Sequence, residues 1–71
     1  MNRIDVFSKV PQEPRDLIRD LLSNREDALI NDISDDCRRH LVDCCEDMIH
    51  ELLSLYYKGK NLERAYRVLI S

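Results

Sequence analysis

The sequence predicts an all-α fold, a small bundle of four or five helices, and three observations lead there. Apolar residues recur every three or four positions along most of the chain, which is the spacing of one helical face. One Gly and two Pro leave little room for turns, so elements are few and connections short. No stretch alternates apolar and polar residues as a half-buried strand does. The composition, 44% hydrophobic and 35% charged, is that of a folded globule. At 71 residues the chain makes a single helical domain, 1–71, near the size where one core is only marginally stabilising.

The elements follow in order. Ile4, Phe7 and Val10 are spaced to lie together on a short N-terminal helix or ordered arm. Pro11 and Pro14 then push their predecessors towards extended geometry, so Val10–Glu13 reads as a linker. Residues 1–13 are therefore an arm or helix plus a proline linker. Pro14 suits the first position of a helix, where a missing N–H costs nothing. Leu17, Ile18, Leu21 and Leu22 give the next segment strong helical spacing. Ser23-Asn24 is expected to break it, because Ser and Asn cap helices better than they continue them. Asn24 and Asp27 then resemble a capping arrangement for a second short helix, about residues 25–33, burying Leu29, Ile30 and Ile33. The alternative is one continuous helix from Pro14 to Ile33.

A long helix over about 35–58 comes next. Ser34 caps it, with Asp35 and Asp36 in the first turn where the helix dipole favours negative charge. Gly59 is placed to stop it as a left-handed residue after Lys58. Its apolar stripe, from Cys37 through Leu41, Cys44, Cys45, Met48, Ile49, Leu52, Leu53 and Leu55 to Tyr56, covers roughly half the circumference. A surface helix usually buries a narrower arc, so this one needs neighbours on two sides. Asn61 is placed to cap a final helix bearing Leu62, Ala65, Tyr66, Leu69 and Ile70. The last two helices form an antiparallel hairpin. Tyr56, Tyr57, Leu62, Ala65 and Leu69, with Ile49 and Leu52 before them, resemble the hairpin of a tetratricopeptide repeat. Leu53 stands where that family has a small residue, Gly59 falls one position early, and there is one copy. The resemblance implies shared hairpin geometry over about a third of the chain and not membership of the family.

Charge is uneven. The net charge is −3, which argues against broad binding to a nucleic-acid backbone. Residues 1–57 hold seven Lys or Arg against thirteen Asp or Glu. Residues 58–71 reverse the sign through Lys58, Lys60, Arg64 and Arg67 against Glu63 alone. Arg3, Asp5 and Lys9 interrupt the first apolar residues, so no secretory leader is expected, and no apolar run suggests a membrane span. Three cysteines without a secretory context point to a reduced cytoplasmic setting.

Few patterns suggest chemistry. Cys37, His40 and Cys44 point to a similar side of the long helix and are of ligand type, but a zinc site would need a fourth ligand from elsewhere. The simpler expectation is that all three cysteines are small core residues, with no metal and no cofactor. Cys37 and Cys44 would stand about 10 Å apart along a helix, too far for a disulfide. No nucleophilic set, phosphate loop or paired-carboxylate cleft is indicated, so an enzyme is not expected. Asp43, Asp47 and Glu51 form a column of like charges, which mildly destabilises a helix unless something basic docks there.

The sequence thus predicts a non-enzymatic protein–protein interaction module, an adaptor, inhibitor or regulatory subunit. A homodimer is expected, associating through Cys44, Cys45, Met48 and Leu52, with a protein partner on the acidic face of Asp43, Asp47 and Glu51. The alternative is a nucleic-acid-associated regulator that contacts phosphate through Lys58, Lys60, Arg64 and Arg67, with Tyr57 and Tyr66 as stacking surfaces.

Overall fold

A computed structural model describes residues 1–71. It has four helices and no strand: α1 (Arg3–Ser8), α2 (Gln12–Ile30), α3 (Asp35–Ser54) and α4 (Gly59–Ile70). The two long helices, α2 and α3, pack along each other as an antiparallel pair. α4 lies against α3, and α1 against α4. The body measures 36 × 22 × 18 Å, so its long axis is set by α2 and α3.

The N-terminal segment is a helix. Asn2 caps α1 through a reciprocal pair: its side chain accepts from the Asp5 N–H, and the Asp5 carboxylate accepts from the Asn2 N–H. Val6, Phe7 and Val10 are buried, and Ile4 is left outside. Pro11 takes the cap position of α2, whose first residue is Gln12, so Pro14 is the third helical residue rather than the first. Its missing N–H is still one that the first turn cannot use.

The expected break at Ser23-Asn24 does not occur, and α2 is continuous through it. The Asn24–Asp27 cap is therefore absent too. Both Ser23 and Asn24 are exposed, and Ile18 and Leu22 before them and Ala28 after them are buried. Packing of that face along α3 outweighs a propensity penalty of about half a kcal/mol per residue.

The Ser34 cap of α3 forms as expected, with Oγ accepting from the Cys37 N–H at 3.2 Å. The helix ends earlier than expected, at Ser54. Tyr57 leaves the helical path and turns into the core, where its phenol donates to the Val6 carbonyl at 2.7 Å. Gly59 does adopt the left-handed backbone, at φ +58°, but as the first residue of α4 rather than the stop of α3. Lys58 holds the cap position without a side-chain bond, so Asn61 lies inside α4 and does not cap it.

The core joins Val6, Phe7 and Val10 to Ile18 and Leu22 of α2, Ile49 and Leu53 of α3, Tyr57, and Ala65 and Leu69 of α4. Ala65 is fully buried and lets α4 approach closely, as in the predicted hairpin. Three arginines tie down helix C-termini whose carbonyls have no helical partner. Arg3 donates to Leu69 O at the end of α4. Arg15 donates to Phe7 O and Val10 O at the end of α1. Arg38 donates to Ala28 O, Asn31 O and Ile33 O beyond α2. Neither α1 nor α2 has a basic residue in its own last turn, so these cations also answer the local helix dipoles.

Candidate functional site

The apolar stripe of α3 divides into two strips. Cys45, Ile49 and Leu53 face the interior, and Leu52 and Tyr56 are half-buried. Cys37, Leu41, Cys44, Met48 and Leu55 remain exposed, and they recur at intervals of four, three, four and seven. That is the spacing of a bundle seam. α2 supplies a matching edge in Leu17, Leu21, Asn24 and Ala28, again at intervals of four and three.

The two edges border one groove. Its wider part, about 650 Å³, is floored by Leu17, Leu21, Met48, Leu52 and Leu55 and edged by Asp20, Asn24, Glu51 and Ser54. A narrower recess of about 340 Å³ shares Asn24 and continues past Asp27, Ala28 and Asn31 to Ile33, Leu41 and Cys45. Leu17 is 54% exposed, Met48 53%, Leu55 67% and Leu41 47%. Isolated exposed aliphatics are ordinary, but here they line one groove and leave a continuous apolar strip open to solvent. No Lys or Arg lines either recess, while Asp20, Asp27 and Glu51 do.

The self-association set is therefore split. Met48 and Cys44 are open, Leu52 is half-buried on the groove floor, and Cys45 is turned inward. Asp43, Asp47 and Glu51 are all exposed, and of the three Glu51 lines the groove. Leu55, part of the stripe read from sequence, completes the α3 side, and Leu17, Asp20 and Leu21 complete the α2 side, where Leu17 and Leu21 were read only as helical spacing and not as a site. The signal for the α2 edge was the four-three spacing of Leu17, Leu21, Asn24 and Ala28 across Ser23-Asn24, which the expected helix break concealed.

The cysteines are not all core residues. Cys37 and Cys44 are exposed and Cys45 is buried, all with free thiols. Burial, then the neighbouring Cys44, raises the Cys45 thiol above its ordinary range. Cys44 Sγ lies 3.7 Å from His40 Nε2, and no three His, Cys, Asp or Glu side chains are grouped to hold a metal ion.

At the basic end, Lys60, Arg64 and Arg67 edge a shallow recess with Glu63 among them, and Lys58 is exposed in the α3–α4 connection. Neither expected stacking ring is free. Tyr57 is buried beneath its bond to Val6. Tyr66 is half-buried, with its hydroxyl 3.4 Å from Glu46 and its ring edge-on to His50. Glu46 also pairs with Arg25 of α2 at 2.8 Å, so it links three helices. Burial, then Glu46, pushes the Tyr66 phenol upward, and burial, then Asp5, does the same for Tyr57.

A cleft of about 510 Å³ between α1 and α2 gathers Arg3, Arg15 and Arg19. Each is engaged within the fold: Arg3 and Arg15 on carbonyls, Arg19 over the Phe7 ring at 5.1 Å. No helix is long and apolar enough to cross a membrane. Comparison with protein-family models, with curated proteins and with solved structures gave no match to this chain.

Proposed function

We propose that this chain is a non-enzymatic helical interaction module, an adaptor, inhibitor or regulatory subunit, whose working surface is the open α2–α3 groove. The observation that supports this most is the exposed run of Leu17, Leu41, Met48 and Leu55 along one seam of two packed helices. Those side chains have the spacing of a bundle interior but lie at the surface. Closing the groove removes them from water, at about 25 cal/mol for each Å² of apolar area. The exposed thiols of Cys37 and Cys44 favour a reducing, cytoplasmic setting.

The homodimer expected from sequence would use this same face, through Cys44, Met48 and Leu52. The nucleic-acid reading is weaker. Its aromatic surfaces, Tyr57 and Tyr66, are engaged within the fold, and Glu63 sits among its cations.

A photo-reactive residue at position 48 of the full chain, introduced in its host cells, tests the proposal. The expected result is a cross-link to protein, either another species or a second copy, that is absent when the same residue replaces Arg39 on the exposed far side of α3. No cross-link at 48, or a cross-link to nucleic acid, overturns it.

A further inference from the structure

Resting on the interaction-module reading, we propose that the α2–α3 groove receives a single amphipathic helix from another protein, with aliphatic anchors on its inner face and Lys or Arg along both edges. Two observations specify this occupant, and both are independent of the partner's identity.

The first is shape. Leu17 and Leu21 of α2 face Met48, Leu52 and Leu55 of α3 across the groove. These are two edges of a knobs-into-holes layer that lacks its knobs. The groove runs from Leu17 to Ala28, about 16 Å at 1.5 Å per residue, which is about three turns of helix. A third helix with aliphatic residues at i, i+3 or i+4, and i+7 places one anchor in each successive hole. Asn24 interrupts the apolar α2 edge near its middle and favours a polar side chain opposite, which sets the register.

The second is charge. Asp20 and Asp27 stand on the α2 wall and Glu51 on the α3 wall, with Asp47 and Asp43 continuing the column beyond. An occupant with cations on both edges meets an acid on either side. A second copy of this chain does not. Two-fold association of this face with itself repeats the same walls and sets acids against acids. A nucleic-acid backbone meets the same repulsion.

Three fluorescent peptides about three helical turns long form the probe set. One has a Leu face and Lys edges, one the same Leu face with Glu edges, and one is the Lys peptide with its sequence scrambled. Anisotropy against the full chain is expected to show saturable one-to-one binding of the Lys-edged peptide, with the scrambled and Glu-edged peptides at least ten-fold weaker. Asp20→Lys with Glu51→Lys should weaken the Lys-edged peptide at least ten-fold and improve the Glu-edged one. Both positions are exposed, and circular dichroism verifies that the variant stays helical. Met48→Asp should abolish binding of the Lys-edged peptide. Equal binding of the scrambled peptide, or unchanged binding by the charge-reversed variant, overturns the proposal. So does a chain that sediments as a dimer with position 48 covered. A protein cross-link from position 48 together with no peptide binding means that the occupant chemistry is wrong and the interaction reading stands. Loss of both overturns both.

Discussion

The Tyr57 hydroxyl donates a buried hydrogen bond of 2.7 Å to the carbonyl oxygen of Val6, 51 residues earlier in the chain. Val6 belongs to the last turn of α1, where carbonyls have no helical partner. The bond therefore completes α1 and fastens it to the α3–α4 connection at once. Tyr57→Phe leaves that carbonyl unpaired in the core. The expected cost is about 1–3 kcal/mol, read as a lower denaturant midpoint at an unchanged m-value. A midpoint identical to the parent would show that water or another donor replaces the phenol.

Alkaline stability should be governed by two buried groups, Cys45 and Tyr57, and the half-buried Tyr66. Tyr57 and Tyr66 are raised above the ordinary tyrosine value of 10.0, and Cys45 above the ordinary cysteine value of 9.0. In each case burial disfavours the ionised form, so the unfolded chain loses its proton first. Between the unfolded and folded values the native state holds more protons, and stability falls as pH rises. The decline should begin near pH 9 with Cys45 and steepen above pH 10 with the tyrosines. Tyr57→Phe should flatten the steeper limb by up to one proton per molecule, as measured by denaturant titration across pH.

The cysteines should separate by reactivity. A thiol reagent added to the native chain is expected to modify Cys37 and Cys44 quickly, and Cys45 only on unfolding. Cys45→Ser should destabilise by placing a hydroxyl among apolar neighbours, while Cys44→Ser should change stability by less than about 0.5 kcal/mol. Rapid labelling of all three native thiols would show that the α2–α3 interface opens readily.

Arg38 joins the α2–α3 connection to both helices. Its guanidinium reaches Ala28 O, Asn31 O and Ile33 O while pairing with Asp35, a fork that an ammonium cannot reproduce. Arg38→Lys should cost about 1 kcal/mol, discounted for partial exposure, and Arg38→Gln somewhat more. Hydrogen exchange should accelerate over residues 28–34, the end of α2 and the connection, before it does in α3. Uniform acceleration along the whole chain would assign the loss to global stability instead.

The helical class and the α3–α4 hairpin were legible because they rest on local spacing, although the cap signals at Gly59 and Asn61 did not hold. Ser34 with Asp35 and Asp36 is a start signal that needs no tertiary information. The end of α3 was not legible, because Tyr57 leaves the helix for a bond to α1, a contact that spacing cannot encode. The continuity of α2 was hidden for the same kind of reason: Ser23 and Asn24 are poor helix formers held in place by what Ile18, Leu22 and Ala28 of the same helix bury. The roles of Arg3, Arg15 and Arg38 were not legible either, because they depend on carbonyls that only the fold brings to them. The half-circumference stripe correctly implied apolar surface beyond what the fold buries. The α2 half of the groove came into view only once α2 was seen as a single helix.

The acid column provides the last test. Asp43, Asp47 and Glu51 are exposed at successive turns of α3, on the side away from the buried Ile49 and Leu53. Like charges at this spacing cost the helix a few tenths of a kcal/mol per pair. Asp47→Lys converts both neighbouring pairs to attractive ones, so the isolated chain should be unchanged or more stable by about 0.5 kcal/mol. Glu51 lines the groove and Asp47 lies one turn along from it, so a docking cation should feel both. The same substitution should then slow association with a cationic helix several-fold and leave dissociation nearly unchanged, because rim charges act on the encounter. The slowing should fade as salt is raised and the Debye length falls below about 8 Å. An association rate equal to the parent's at low salt would leave Asp43 and Asp47 as a solvated face and confine electrostatic recognition to Asp20, Asp27 and Glu51 on the groove walls.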